Sequence, residues 1–190
     1  PERFALFRGR YDTTSADILY GRFAKAYGTP NSISHSALCD EASKVGNWCA
    51  TGRNDYSSYD FEDTNYILSF GVPFLEANRP VSGVLASWGE GRRGKSTRTK
   101  FVMIDPHYSV TASKADEWIP INPGTDGALA IGIAHEILVR GLWDQKFVGK
   151  FKDASGKFIE GKEVDEKSWE DAVTTGLVKW WNLFLKDFPP

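Results

Sequence analysis

The sequence predicts an α/β fold, a Rossmann-like arrangement in which helices flank a mostly parallel sheet. Apolar runs of strand length alternate with longer amphipathic stretches, and each run is followed by a turn signal. The 190 residues are 41% hydrophobic and 14% aromatic, which is enough for a packed core. The 23 basic and 25 acidic side chains leave a net charge of −2, which is not typical of a protein that binds nucleic acid or an anionic membrane.

Five strands are predicted from the apolar runs and four helices from the stretches between them. The strands are expected at residues 4–8, 31–34, 65–70, 100–105 and 117–121, and the helices at about 13–27, 40–50, 80–90 and 126–140. The last helix has the clearest boundaries, because Thr125 or Asp126 can cap its start and Gly141 can end it. Its apolar face is predicted to contain Leu129, Ile133 and Ile137.

The remainder of the chain, from about residue 150, differs from the α/β region at about 1–149. Residues 150–170 are polar and interrupted by glycines, which predicts a surface excursion rather than core. A Trp-rich segment follows, and we expect the tryptophans from Trp143 onward to pack against chain outside this sequence. The ends of the sequence, which lacks an initiating Met, favour an incomplete piece of a larger multidomain protein. Neither a membrane-spanning stretch nor a signal peptide is recognisable.

A literal G-x-G-x-x-G occurs at Gly89-Glu90-Gly91-Arg92-Arg93-Gly94. A dinucleotide fingerprint follows a strand and opens a helix, whereas this one follows a predicted helix and precedes a strand. The pattern therefore does not predict a Rossmann phosphate site. Residues 90–100 carry five basic side chains and one acidic one, which is typical of a solvated loop.

Polar residues at two strand ends and one helix start indicate a ligand site. Ser69-Phe70-Gly71 and Asp105-Pro106-His107 come where strands reach their carboxyl edge, which is where open α/β sheets bind ligands. Thr125 and Asp126 open the best-marked helix, whose free N–H groups attract anions, and a carboxylate there can accept from a base or a ribose hydroxyl. Together these residues suggest a nucleotide-like ligand. The alternative is that each one only caps a helix or ends a turn.

The two cysteines, Cys39 and Cys49, have three possible interpretations. They form a disulfide in an oxidising compartment, or they bind zinc with His35 and a fourth group, or Cys39 alone is a thiolate ligand to a soft metal. Cys39 lies with His35, Ser36 and Lys44 at a strand-to-helix turn, where cations lower a thiol pKa and can hold an anion. The alternative for Lys44 is a solvated helix lysine.

Several blocks, in a fixed order, resemble a known family. They are Gly9-Arg10-Tyr11, His35-Ser36-Ala37-Leu38-Cys39, Ile67-Leu68-Ser69-Phe70-Gly71, Ile104-Asp105-Pro106, Ala115-Asp116-Glu117-Trp118-Ile119-Pro120 and Pro123-Gly124-Thr125-Asp126-Gly127. This series resembles the molybdopterin bis-guanine-dinucleotide oxidoreductases, which include dimethyl sulfoxide reductase and formate dehydrogenase. Cys39 with Lys44, Gly141-Leu142-Trp143 and the segment from Gly176 to Trp181 most resemble the catalytic subunits of respiratory arsenate reductases.

The resemblance implies roles for individual residues. Cys39, rather than Cys49, supplies a protein sulfur to molybdenum beside two pterins. Arg10, Tyr11, His35, Ser36 and Lys44 fall where the family binds the oxyanion, with His35, Cys39 and Lys44 as the catalytic residues. One guanine dinucleotide is held by Ser69, Phe70, Gly71, Asp105, His107, Thr125 and Asp126.

The resemblance also implies partners and a location. Arsenate is reduced to arsenite as a terminal electron acceptor in anaerobic respiration, an iron–sulfur subunit delivers the electrons as the second half of a heterodimer, and the enzyme is periplasmic. The family's iron–sulfur motif and later domains are absent from this sequence, so we expect the 190 residues alone to be inactive. Three alternatives stay open: a thiosulfate or polysulfide reductase, an arsenite-oxidising relative, and, from another class, a nucleotide-binding module without catalysis.

Overall fold

A computed structural model describes the backbone of residues 1–9, 15–35, 39–94, 96–170 and 176–188, and the side chains of all of these except 15–17. The chain forms two compact units, residues 1–60 and 61–190. Both units contain parallel strands connected through helices, so the predicted α/β class is confirmed. The division near residue 149 that the sequence suggests is not the boundary between these units, and the assignment of residues 1–149 as a cofactor-binding region stays a prediction.

The first unit is a β-α-β-α arrangement. Its elements are β1 (Ala5–Arg8), α1 (Ser15–Tyr27), β2 (Asn31–Ser34) and α2 (Glu41–Thr51). The two strands pair in parallel from Ala5 with Asn31 to Arg8 with Ser34. Each of the four elements was predicted to within about two residues. Gly52, with a φ of 76°, ends α2 by donating its N–H to the Trp48 carbonyl at 2.8 Å.

The second unit begins with a three-stranded parallel sheet in the order β3-β4-β5. Its elements are β3 (Tyr66–Phe70), α3 (Val81–Gly89), β4 (Lys100–Ile104), α4 (Val110–Lys114), β5 (Glu117–Ile119) and α5 (Asp126–Val139). The central strand β4 is buried on both faces, which explains its continuous apolar sequence. Phe101 and Met103 pack with Phe74, Val84 and Ala112 in one core cluster. The short helix α4 was not predicted.

The carboxyl ends of the three strands lie at one edge of the sheet. Phe70 is the register partner of Ile104, and Ile104 is the partner of Ile119. The N–H of Gly71 donates to the Ile104 carbonyl at 2.8 Å, and the N–H of Asp105 donates to the Ile119 carbonyl at 3.2 Å. The residues that directly follow the strands are therefore brought together, as the sequence predicted.

The expectation that residues 150–170 form a surface excursion is wrong for three of their apolar side chains, although Ile159 is exposed. Elements here are α6 (Gln145–Val148), the antiparallel pair β6 (Lys150–Phe151) and β7 (Trp169–Glu170), and α7 (Gly176–Leu183). Phe158, Val164 and Trp169 are buried, and they pack with Trp181 and Leu138 in a second core cluster. Trp169 and Trp181 thus find their packing within this chain, whereas Trp180 is 45% exposed.

The buried face of α5 is also not the predicted one. Its buried residues are His135 and Leu138, and Ile131 and Ala134 pack against the second core, whereas Ile137 is 38% exposed. The helix is apolar on all sides, so the sequence pattern could not select one face. His135 Nδ1 lies 2.7 Å from the Leu185 carbonyl oxygen, and its ring stacks on Trp181.

The G-x-G-x-x-G segment does not connect a strand to a helix. Gly89 ends α3, and Glu90–Gly94 form a π-helical turn before β4. This agrees with the prediction that the pattern is not a dinucleotide fingerprint. Within the described ranges, no helix has both the length and the apolar character that crossing a bilayer requires.

Candidate functional site

The three predicted catalytic residues lie in the β2–α2 connection and the first turn of α2. His35 continues from β2 and donates its N–H to the Arg8 carbonyl at 3.1 Å. The Cys39 N–H donates to the His35 carbonyl at 3.2 Å, and the Lys44 N–H donates to the Asp40 carbonyl at 3.3 Å. His35, Cys39 and Lys44 therefore follow one another along a backbone that turns from strand into helix. Arg10, Tyr11 and Ser36 lie outside the described residues.

Lys44 is not the solvated helix lysine that one alternative predicted. Only 9% of the residue is exposed. Its Nζ lies 3.5 Å from Glu41 Oε1 and 4.8 Å from the centre of the Tyr56 ring. A buried lysine with a charged neighbour is uncommon and indicates a fixed cation. The Glu41–Lys44 spacing of three residues was readable from the sequence as a helix-surface pair, whereas the Tyr56 contact was not.

Both cysteines are exposed free thiols. The disulfide interpretation is therefore wrong for this structure. Among the described residues, no three His, Cys, Asp or Glu side chains group as metal ligands, so the zinc interpretation gains no support there. Cys39 lies two residues before α2, whereas Cys49 is inside the helix next to the exposed Trp48. A lone thiolate at Cys39 remains as the candidate ligand to a soft metal.

At the edge of the three-stranded sheet, Ser69 is a buried polar residue without a partner. It is 6% exposed, and its hydroxyl makes no hydrogen bond to any residue that the structure describes. Buried polar groups in native proteins are nearly always bonded, so an orphaned hydroxyl indicates a group that is completed by something else. Gly71 follows one residue after β3 with a φ of 61°, which a side chain would disfavour.

Asp105 and His107 form a turn at the end of β4. The Asp105 carboxylate accepts the His107 N–H through Oδ1 at 2.8 Å. The Asp105 carbonyl accepts from Trp118 Nε1 at 2.9 Å, which ties the turn to β5. Asp105 therefore does form a turn, as the alternative interpretation in which it only ends a turn predicted. This turn occupies one carboxylate oxygen and fixes the orientation of the carboxylate at the sheet edge.

Thr125 is the N-cap of α5, but it does not cap the helix with its side chain. Its hydroxyl instead donates to the Asn122 carbonyl at 2.8 Å. The expected side-chain cap by Thr125 is therefore wrong, because the hydroxyl closes the preceding turn. Asp126 is the first residue of this 14-residue helix. Its carboxylate lies where the partial positive charge of the helix favours an anion.

One acidic residue that the sequence analysis left without a role organises the basic loop before β4. Asp116 accepts hydrogen bonds from Arg92, from Arg98 at 2.6 Å and from the Phe101 N–H at 2.8 Å. Burial raises the pKa of this carboxyl, but the bonds from Arg92, Phe101 and Arg98 outweigh it and lower the pKa to about 2. Arg92 also lies over the Trp88 ring. The solvated-loop prediction is therefore wrong for Arg92, whose side chain is 14% exposed.

Comparison with known proteins identifies the class of protein to which this chain belongs. Residues 3–178 match the molybdopterin oxidoreductase family. The chain belongs to that family, as the resemblance predicted.

Two similar proteins are arsenate respiratory reductase molybdopterin-containing subunits. The chain is 43% identical to that of Chrysiogenes arsenatis over 188 residues, and 43% identical to that of a Shewanella species over 190 residues. These matches cover 99% and 100% of the chain but 22% of each relative, so the chain spans about a fifth of their length. A sulfite dehydrogenase component of Allochromatium vinosum is 33% identical over 168 residues, which cover 87% of the chain and 16% of that protein.

The described residues fit the cofactor that the family implies. The orphaned Ser69 hydroxyl can donate to a phosphate or ribose oxygen at the sheet edge where α/β folds bind nucleotides. The free, exposed thiol of Cys39 is a soft sulfur donor of the kind that transition metals bind. The chain therefore contains a buried hydroxyl without a described partner and an exposed free thiol, which are the kinds of group that such a cofactor needs.

Proposed function

We propose that the chain carries the metal-binding cysteine, the oxyanion-binding residues and one nucleotide-binding edge of a molybdenum-dependent arsenate reductase. The observation that carries the proposal is the start of α2, where an exposed free thiol at Cys39, just before the helix, is followed five residues later by the buried cation of Lys44. Identity of 43% to two arsenate respiratory reductase subunits, over nearly all of this chain, supports arsenate as the substrate.

Each of the named residues has a definite task in this proposal. Cys39 provides a thiolate to the metal, because a thiolate is the form of cysteine that coordinates. When bound, the molybdenum cofactor supplies the two-electron chemistry that removes one oxygen from arsenate and leaves arsenite. Lys44 and Arg10 hold the anion by charge, and Arg10 adds a planar fork of donors.

Tyr11, Ser36 and His35 complete the oxyanion site as hydrogen-bonding groups. Arsenate reduction consumes two protons and releases water, so a proton donor beside the departing oxygen is required. His35 suits this task, since imidazole is a frequent general acid and base in enzymes. Its backbone position next to Cys39 is held by the bond between the Cys39 N–H and the His35 carbonyl.

The guanine dinucleotide form of the cofactor is assigned to the edge of the three-stranded sheet. Ser69 and Phe70 are the last two residues of β3, Gly71 follows that strand, and Asp105 and His107 follow β4. At the start of α5, Thr125 offers backbone groups and Asp126 offers a carboxylate that can accept two hydrogen bonds from a base with adjacent donors. The orphaned Ser69 hydroxyl supports this assignment.

The proposal includes the setting that arsenate respiration requires. Electrons reach the molybdenum centre through an iron–sulfur cluster and an iron–sulfur partner subunit, and the enzyme works in the periplasm. The iron–sulfur ligands are not among these 190 residues, which contain two cysteines. The substrate, arsenate, arrives as an anion, and fixed cations are needed because the metal is already surrounded by anionic sulfur.

A sulfur-oxyanion enzyme of the same family is the second candidate. The 33% identity to a sulfite dehydrogenase component favours it over classes outside the family. It uses the same cysteine and cofactor and differs in the substrate.

The test is to purify the complete enzyme with its partner subunit, measure molybdenum, and follow reductant oxidation with arsenate, thiosulfate and sulfite. The proposal expects stoichiometric molybdenum and turnover that depends on arsenate. Turnover with thiosulfate and none with arsenate contradicts it and favours the second candidate. A protein without molybdenum contradicts both and favours the nucleotide-binding module.

A further inference from the structure

The side-chain amide of Asn47, on α2, makes two hydrogen bonds to the loop that follows this helix. Asn47 Nδ2 donates to the Asp55 carbonyl at 2.8 Å and to Ser57 Oγ at 2.9 Å. The Asp55 carboxylate in turn accepts the Tyr56 N–H at 2.8 Å. Asn47 therefore holds the residues on both sides of Tyr56.

These two hydrogen bonds hold the backbone beside Tyr56 close to α2. The ring centre is 4.8 Å from Lys44 Nζ, so Tyr56 makes a cation–π contact with the cation that the proposed function assigns to arsenate. Residues 52–60 contain no strand or helix that would hold the ring there. Asn47 lies one helical turn after Lys44, so its hydrogen bonds attach the loop to the helix that carries Lys44.

Glu41 and Tyr56 act differently on the charge of Lys44. Glu41, with Oε1 3.5 Å from Nζ, is an anion and partly neutralises the ammonium. An aromatic ring attracts the ammonium without neutralising it. A lysine that is ordered by a ring therefore keeps its charge for an anionic substrate, and it loses less conformational freedom when that substrate binds.

We propose that Asn47 is a positioning residue for the substrate: by fixing Asp55 and Ser57 it holds the Tyr56 ring against Lys44 and keeps that cation preordered for the oxyanion. The inference rests on the proposed function, because it assigns Lys44 to arsenate. Asn47 itself acts through Tyr56. A purely structural asparagine would lower stability without changing the affinity for arsenate.

The experiment uses the complete enzyme with Asn47→Ala, Tyr56→Leu and the double variant. Asn182→Ala is the matched control, because the side-chain amide of Asn182 also makes two hydrogen bonds to a loop, both with the backbone of Val164. Asn182 is remote in sequence from Lys44. Arsenate KM and kcat per bound molybdenum are measured. The rate at which an amine-acylating reagent modifies Lys44 is followed by mass spectrometry.

The expected results for Asn47→Ala are a five- to tenfold higher KM, a kcat per molybdenum within twofold of the parent, and faster Lys44 modification. The double variant should have no higher KM than Tyr56→Leu, because the two residues act through one contact. Asn182→Ala should lower the unfolding temperature and leave KM and Lys44 modification unchanged. If Asn47→Ala does not fold, Tyr56→Leu alone must raise KM and speed Lys44 modification.

An unchanged KM in Asn47→Ala and in Tyr56→Leu overturns the inference, whatever happens to Lys44 modification. Fully additive effects in the double variant overturn it as well, because Asn47 would then not act through Tyr56. A molybdenum-loaded parent enzyme that does not reduce arsenate is a different failure. It contradicts the proposed function itself, and therefore also the substrate role inferred for Asn47.

Discussion

Gly71 and Ile104 join the ends of two neighbouring strands, with the Gly71 N–H 2.8 Å from the Ile104 carbonyl oxygen. This bond continues the β3–β4 register by one residue beyond Phe70. It brings Ser69 and Asp105, which are 36 positions apart in the sequence, to one edge of the sheet. The nucleotide end of the proposed site is built on that edge.

Ser69→Ala is predicted to have opposite effects on the cofactor-free and the cofactor-loaded enzyme. The hydroxyl is buried and unpaired among the described residues, so its removal should leave the cofactor-free protein equally stable or up to about 1–3 kcal/mol more stable. Retention of the cofactor should fall, since the hydroxyl loses its proposed partner. Denaturant unfolding of the cofactor-free form and molybdenum content after purification measure the two effects. A loss of stability with full molybdenum content would leave Ser69 without a ligand role.

Asp126→Ala should reduce cofactor retention more than it reduces turnover per bound molybdenum. Removal of the carboxylate leaves the donors of the base unpaired, at a cost of roughly 1–3 kcal/mol when they are buried. Asp144→Ala is the control, because Asp144 caps α6 by accepting from Lys146 and Phe147 and has no proposed ligand. The measurement is the ratio of pterin to protein after gel filtration. Unchanged cofactor content in Asp126→Ala would show that Asp126 only stabilises the start of α5 and does not bind the cofactor.

Lys44→Ala and Arg10→Ala should each weaken arsenate turnover at least tenfold, or about 1.4 kcal/mol, with unchanged molybdenum content. The reason is that an anion approaching a metal with anionic sulfur ligands needs compensating cations. Lys150→Ala provides the comparison, since Lys150 is 57% exposed and pairs with Glu170 on β7. Steady-state kinetics with arsenate measure the effect. Full activity in both variants would remove the two cations from the substrate site.

Asp116 should make the stability of the second unit sensitive to acid. Its folded pKa of about 2 is below the ordinary value of 3.8, so its contribution is complete above pH 3.8 and is lost as the pH falls toward 2. Asp116→Asn should therefore lower the free energy of unfolding at pH 7, by roughly 1–3 kcal/mol, and the difference from the parent should shrink near pH 2. Glu117→Gln, which affects an exposed pair with Lys100, should change little. A difference that is constant from pH 7 to pH 2 contradicts this account of Asp116.

Most of the α/β part of the fold could be predicted, because local patterns define it. Strands such as β2 and β3 are short apolar runs bounded by turn residues, and their bounds depend on neighbours in the sequence. The edge residues Ser69 and Asp105 could be predicted for the same reason, since the carboxyl ends of parallel strands share an edge. That the Ser69 hydroxyl has no hydrogen-bond partner among the described residues, by contrast, can be seen only in the packed structure.

What the sequence could not predict depends on contacts between distant residues. Phe158 and Val164 lie in a mostly polar stretch without a regular apolar repeat, so no period revealed that they join Trp181 in a core. Arg92 looked like part of a solvated basic loop because its partner, Asp116, is 24 positions away. The hydrogen bonds from Asn47 to Asp55 and Ser57 are likewise contacts between a helix and an irregular loop, for which no sequence pattern exists.

The most direct measurement is the number of sulfur ligands around molybdenum, determined by X-ray absorption in the complete enzyme and in its Cys39→Ala and Cys49→Ala variants. Both cysteines are exposed free thiols in this structure, so exposure alone does not distinguish them. Our account predicts that Cys39→Ala removes one sulfur from the coordination sphere and abolishes arsenate turnover, whereas Cys49→Ala changes neither. An unchanged sulfur count in Cys39→Ala would contradict it.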